Sequence, residues 1–179
     1  PELLDNLREQ AGRAETVEQR ATLRVAIGDL YKDKLTSPVD ALEQYRLVLD
    51  EAPSNDGAIQ ALFAIAEASE DLRLDATDVL LPVLRTAGRH EARVAALELR
   101  IKALAEPEAR AASLKEIAEV NAVELSKYEE AESALLRALE ETPDDDALHV
   151  EIERIAEKTE TPAEGFKRYA DALDERAGQ

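Results

Sequence analysis

The chain repeats itself at a fixed distance of 90 residues, and that property constrains its fold more than anything else in it. "ALEQYRLVLDEAPSND" at 41–56 returns as "AESALLRALEETPDDD" at 131–146. A shift of 90 residues aligns 27–67 with 117–157 without a gap. Ile27 falls on Ile117, Leu35 on Leu125, Leu49 on Leu139, Pro53 on Pro143, and Ile65-Ala66-Glu67 on Ile155-Ala156-Glu157. Arg20-Ala21 falls on Arg110-Ala111, and a looser match reaches both termini. Repetition at this period is the signature of stacked, repeat-built architectures. The expectation is one helical-repeat domain over 1–179, with internal units 1–90 and 91–179.

Each copy reads as helix throughout. Apolar residues recur at spacings of three and four, as in Leu23, Ile27, Leu30 and Tyr31, or Ala76, Val79, Leu80, Val83 and Leu84. No stretch alternates with the period of a strand. Helix punctuation is regular: Pro38 and Pro107 stand at first turns. Asn55 and Asp145 sit where caps belong, and Gly88 where a helix should end. Five helices per unit are predicted, near 2–14, 17–34, 38–51, 55–68 and 73–87, then 90–105, 107–125, 128–141, 144–158 and 162–177. Short connections make neighbours antiparallel, which predicts an all-α stack of helix hairpins. Pro82 inside the fifth helix removes one backbone hydrogen bond and predicts a kink there.

The segments 24–53 and 114–143 resemble a tetratricopeptide repeat. The second helix of that repeat carries small, large apolar, small and proline residues at fixed offsets. Ala41, Tyr45, Val48 and Pro53 fill them in copy one, and Ala131, Leu135, Ala138 and Pro143 in copy two. Ile27, Gly28 and Tyr31 match the first helix, against Ile117, Ala118 and Asn121. The sequence departs from the family in two ways. The turn in "YKDKLTSPVDA" is one residue longer than usual, and Arg24 and Leu114 replace a tryptophan. The resemblance implies a right-handed superhelical solenoid of about ten helices that binds a protein segment. The odd number of helices per unit predicts that the TPR-like pairs of an alternating stack present opposite faces.

The formal charge of -18 disfavours nucleic acid and anionic membrane, which reward Lys and Arg. It would steer a basic or amphipathic protein partner instead. With no Cys, disulfides, zinc thiolates and thiol catalysis are excluded. No apolar run has transmembrane length and no signal peptide is recognisable, so a soluble protein is expected, the cytoplasm slightly favoured. The excess of Arg over Lys, with abundant Ala, fits a GC-rich bacterial source. The chain opens at Pro1 without an initiator Met, as expected of a piece of something longer.

Chemistry finds little footing. His90 and His149 are the only histidines and lack partners at metal-ligand or catalytic spacing. Asp144-Asp145-Asp146 lacks the order of a calcium loop and reads as a helix cap. Glu129, Glu130 and Glu132, with Glu140 and Glu141, offer an acidic docking surface or, as the preferred reading, a solvated helix face, and Glu98–Lys102 and Glu164–Arg168 read as i,i+4 ion pairs. No catalytic residue, cofactor or metal is expected. The family's ligand face would lie on the first helices of the TPR-like pairs. The candidate contacts there are Val25, Asp29, Lys32 and Asp33, with Lys115, Glu116, Glu119 and Val123 in the second copy. They do not form the Lys/Asn carboxylate clamp known in some family members. Self-association through the terminal helices is expected if the chain is instead a spacer cut from a longer array.

Overall fold

A computed structural model describes residues 2–177 of the chain, with side chains through Asp174. The described residues form ten α-helices and no strand. They fall into two compact units that divide between Arg89 and His90.

Unit 1 contains α1 (Glu2–Arg13), α2 (Val17–Asp33), α3 (Pro38–Glu51), α4 (Asp56–Ala68) and α5 (Arg73–Thr86). Its core comes from one stripe of each helix: Ile27 and Tyr31 from α2, and Tyr45, Val48 and Leu49 from α3. Leu62 and Ile65 of α4 and Leu80 and Leu84 of α5 complete it. Helix starts follow the expected chemistry. Pro38 opens α3, and the Asn55 side chain accepts the Ala58 N–H at 2.9 Å to cap α4. Helix α5 continues through Pro82 to Thr86. Gly88 then adopts φ 63°, and the Arg89 N–H closes onto the Leu84 carbonyl, the six-to-one bond of a Schellman ending.

Unit 2 repeats this order with α6 (His90–Ile101), α7 (Pro107–Glu119), α8 (Tyr128–Glu141), α9 (Asp146–Ala156) and α10 (Pro162–Ala177). Asp145 caps α9, its carboxylate accepting the Ala147 N–H at 3.0 Å. Helix α6 is shorter than the expected 90–105. The carbonyls of Leu104 and Ala105, freed from the helix, accept from the Arg110 guanidinium at 3.0 and 2.6 Å. The same guanidinium grips Glu141 through two bonds, at 2.8 and 2.7 Å. Ninety residues earlier Arg20 holds Glu51 at 2.5 Å and the Ala14 carbonyl at 3.3 Å. The identity Arg20/Arg110 in the sequence is therefore one bracket built twice. It ties the end of one helix and the end of another to the helix between them.

The longer turn also has a repeated form. In unit 2 the chain after α7 widens into a π-type segment, Val120–Glu124, and the Leu125 N–H reaches the Val120 carbonyl five residues back. The Lys127 N–H bonds the Asn121 carbonyl at 2.8 Å, across Ser126 at φ 56°. Leu35 to Leu30, Ser37 to Tyr31 and Thr36 at φ 50° are the same arrangement in unit 1. Both copies thus close the link between their paired helices with one wide turn and one left-handed residue.

Two expected local ion pairs are replaced by long-range ones. Glu98 does not serve Lys102; it receives the Arg137 guanidinium at 2.6 and 2.9 Å, joining α6 to α8. Arg168 turns from Glu164 to Glu132 of α8, and Glu164 accepts from the Thr161 hydroxyl instead. A planar guanidinium gains more from a forked grip on a held carboxylate than from a flexible neighbour one turn away.

Candidate functional site

Unit 2 carries an open groove of about 480 Å³ between α7 with its π-type extension and α9. Leu135 of α8 forms its floor, with Ala118 and Ala122 on one wall and Ala147 and Leu148 on the other. Ala118, Ala122 and Ala147 leave the apolar part of the groove open, while the long charged side chains stand at its rim. The wide turn carries Ala122 and Val123 to the mouth, where Val123 is 66% exposed.

The rim is charged but mostly self-satisfied. Lys115 contacts the Asp145 carboxylate at 2.5 Å and Arg154 holds Glu151 through a forked pair. Glu119, exposed at the rim, has no hydrogen-bond or ion-pair partner among the described residues. Lys115 is taken by Asp145 and Arg154 by Glu151, so Glu119 is the lining carboxylate left to receive a basic group.

Of the sequence candidates in this copy, Lys115, Glu119 and Val123 line the groove. Glu116 lies on the α6 side of α7, taken by Arg93 at 2.9 and 2.5 Å. The half of the groove supplied by α8 and α9 was not among the candidates. Its signal lay in the alignment: Leu135, Ala147, Leu148 and Glu151 stand where copy one has Tyr45, Gly57, Ala58 and Ala61.

Those replacements have a physical consequence. In unit 1 the Tyr45 ring lies fully buried against the Cα of Gly28, and its hydroxyl donates to Asp29 at 2.7 Å. Burial first, and then the Asp29 bond, push the Tyr45 hydroxyl well above its ordinary pKa and keep it a donor. Asp29 and Asp33 share Lys32 at 3.8 and 3.9 Å, and a Cβ built on Gly57 would touch Val25 at 3.7 Å. Asp29, Lys32 and Asp33 of unit 1 are thus near one another, with Asp29 engaged by the tyrosine that takes Leu135's place, and Val25 lies beside Gly57.

The histidines have structural neighbours. His90 faces Glu124 at 3.7 Å, and His149 Nδ1 meets the Tyr169 hydroxyl at 2.5 Å. Glu129 accepts the Glu160 N–H at 2.7 Å, which lowers its pKa. Among the described residues no three His, Asp or Glu side chains converge as a metal site, and no helix is long and apolar enough to cross a membrane.

Several carboxylates sit below their ordinary pKa. Asp145 is held down by the Lys115 hydrogen bond, Glu141 by Arg110 and Glu151 by Arg154. A carboxylate with a lowered folded pKa stabilises the fold above its unfolded value and loses that contribution as pH falls through the folded one. Stability is therefore expected to be flat near neutrality and to decline once pH drops below 4.5, the ordinary glutamate value. Urea midpoints measured from pH 7 to 3 check this, and Lys115→Met should make the acid side of the curve shallower.

No protein-family model, curated protein or solved structure matches the chain.

Proposed function

We propose that the chain is a protein-interaction module, a TPR-like solenoid that docks a basic or amphipathic segment of a partner protein. The segment enters the groove between α7 and α9. The observation that carries this reading is an open, apolar-floored groove whose rim keeps one unpaired carboxylate, Glu119. A segment with a leucine-sized side chain over Leu135 and a lysine or arginine beside Glu119 satisfies both features. Burial of the apolar anchor supplies affinity, and the net charge of -18 sets association rate and selectivity. In this reading the protein acts by binding rather than catalysis, and nucleic acid and membrane insertion have no part.

A second reading, a spacer segment with no partner of its own, is favoured for unit 1. There Tyr45 fills the place over which the unit 2 groove opens.

Panning of peptides against the immobilised chain, with a disordered acidic protein as control, tests the proposal. Peptides that pair a basic residue with a large apolar one are expected to be enriched. Their binding should weaken about tenfold or more between 50 mM and 500 mM salt, as screening shortens the reach of the field. Enrichment no greater than on the control would contradict it.

A further inference from the structure

In unit 2, α10 holds the chain position that α5 holds in unit 1, yet it is fastened by different means. Helix α5 buries Ala76, Leu80 and Leu84 completely. Ninety residues on, these become Phe166, Ala170 and Asp174, all exposed. Helix α10 instead buries Gly165 and Tyr169, one residue earlier, a turn of about 100° about its axis.

Glu132 lies beneath the turned helix. It stands where copy one has Leu42, and its side chain is 0% exposed. The Arg168 Nε donates to Glu132 Oε2 at 3.1 Å, and Arg168 Nη2 donates to the same oxygen. The other oxygen, Oε1, is buried without a partner. It lies under Gly165: a Cβ built there would stand 3.1 Å from Oε1 and 3.2 Å from the Ala156 Cβ. The arginine, by contrast, is 42% exposed. A buried ion pair adds little net stability, but removing its partner leaves an uncompensated buried charge. The docking of α10 therefore rests on one half-exposed guanidinium beside the buried Tyr169, whose hydroxyl meets His149.

We propose that α10 is an exchangeable latch. The buried Glu132 carboxylate at the α8–α9 face is a docking site for an arginine-bearing helix, filled in this chain by its own Gly165-Phe166-Lys167-Arg168-Tyr169. The site accepts a helix of the same chemistry in trans: a small residue three places before an arginine, with an aromatic residue after it. Such a helix from a second copy fits it, with its guanidinium on Oε2 and its small residue over Oε1.

The full chain carrying Arg168→Ala tests this. Amide exchange over 163–174 is expected to accelerate at least about tenfold, while α7 and α8 change little. A labelled peptide of residues 160–177 should bind this variant and not the wild-type chain, whose site is filled. The same peptide with alanine at 168 should bind neither. Glu132→Leu combined with Arg168→Ala should return α10 exchange to the wild-type rate, because leucine removes the stranded charge. Unchanged exchange in Arg168→Ala, acceleration spread evenly through unit 2, failure of the double variant to recover, or failure of the peptide to bind the variant would each overturn the proposal.

Discussion

Gly28→Ala is expected to destabilise unit 1, although alanine is the better helix former. The methyl group would stand 2.5 Å from Tyr45 Cε1 and 2.8 Å from Cζ. The ring has nowhere to go: it is fully buried and its hydroxyl is tied to Asp29. Overpacking of this kind costs about 1–3 kcal/mol, against a helix-propensity gain of about 1 kcal/mol, so the clash wins. Unit 2 carries the alternative pair, Ala118 with Leu135, both lining one groove. Tyr45→Leu alone leaves a void, at a cost of about 2–3 kcal/mol, while the half-exposed Asp29 turns to water and Lys32. In the double variant the methyl fills part of that void. The two changes should therefore cost at least about 1 kcal/mol less together than the sum of the singles, measured from denaturant midpoints. Strict additivity would mean that the two positions do not form one packing unit.

The reverse exchange should close the groove. Ala118→Gly with Leu135→Tyr places in unit 2 the pair that fills unit 1, and Glu119 stands where Asp29 accepts the tyrosine hydroxyl. The added glycine costs about 1 kcal/mol in a helix interior, and burial of a larger ring offsets it. The variant should keep its helical circular dichroism and lie within about 1 kcal/mol of the parent. Its affinity for peptides selected on the parent should fall at least about tenfold, the loss expected when an anchor pocket is filled. Leu135→Tyr without Ala118→Gly should lose stability as well, because its ring would meet the Ala118 methyl.

How much of this was legible in the sequence depended on the range of the interaction. Residues that act on their own backbone were readable: Pro38 and Pro107 open helices, Asn55 and Asp145 cap them, and Gly88 ends one. The all-helical class followed from apolar spacing. The partners of Glu98 and Arg168 did not follow, because i,i+4 spacing describes one helix surface while the held partners lie 39 and 36 residues away. The rotation of α10 was hidden for a related reason. A copy-to-copy match cannot show that a later helix sits turned by a residue over a buried glutamate. The groove was half readable. Residues on α7 were reached through the family resemblance, whereas the α8 and α9 side depends on volume exchanges, Tyr45 for Leu135 and Gly28 for Ala118. Those exchanges matter only once the helices are set against each other.

Parallel panning of one peptide library against the wild-type chain and the Ala118→Gly/Leu135→Tyr variant tests the central claim most directly. Enrichment of a basic, apolar-anchored motif on the wild-type chain, lost on the variant while its fold persists, is the predicted result. The same motif recovered equally from both chains, or from neither, would contradict a docking groove between α7 and α9.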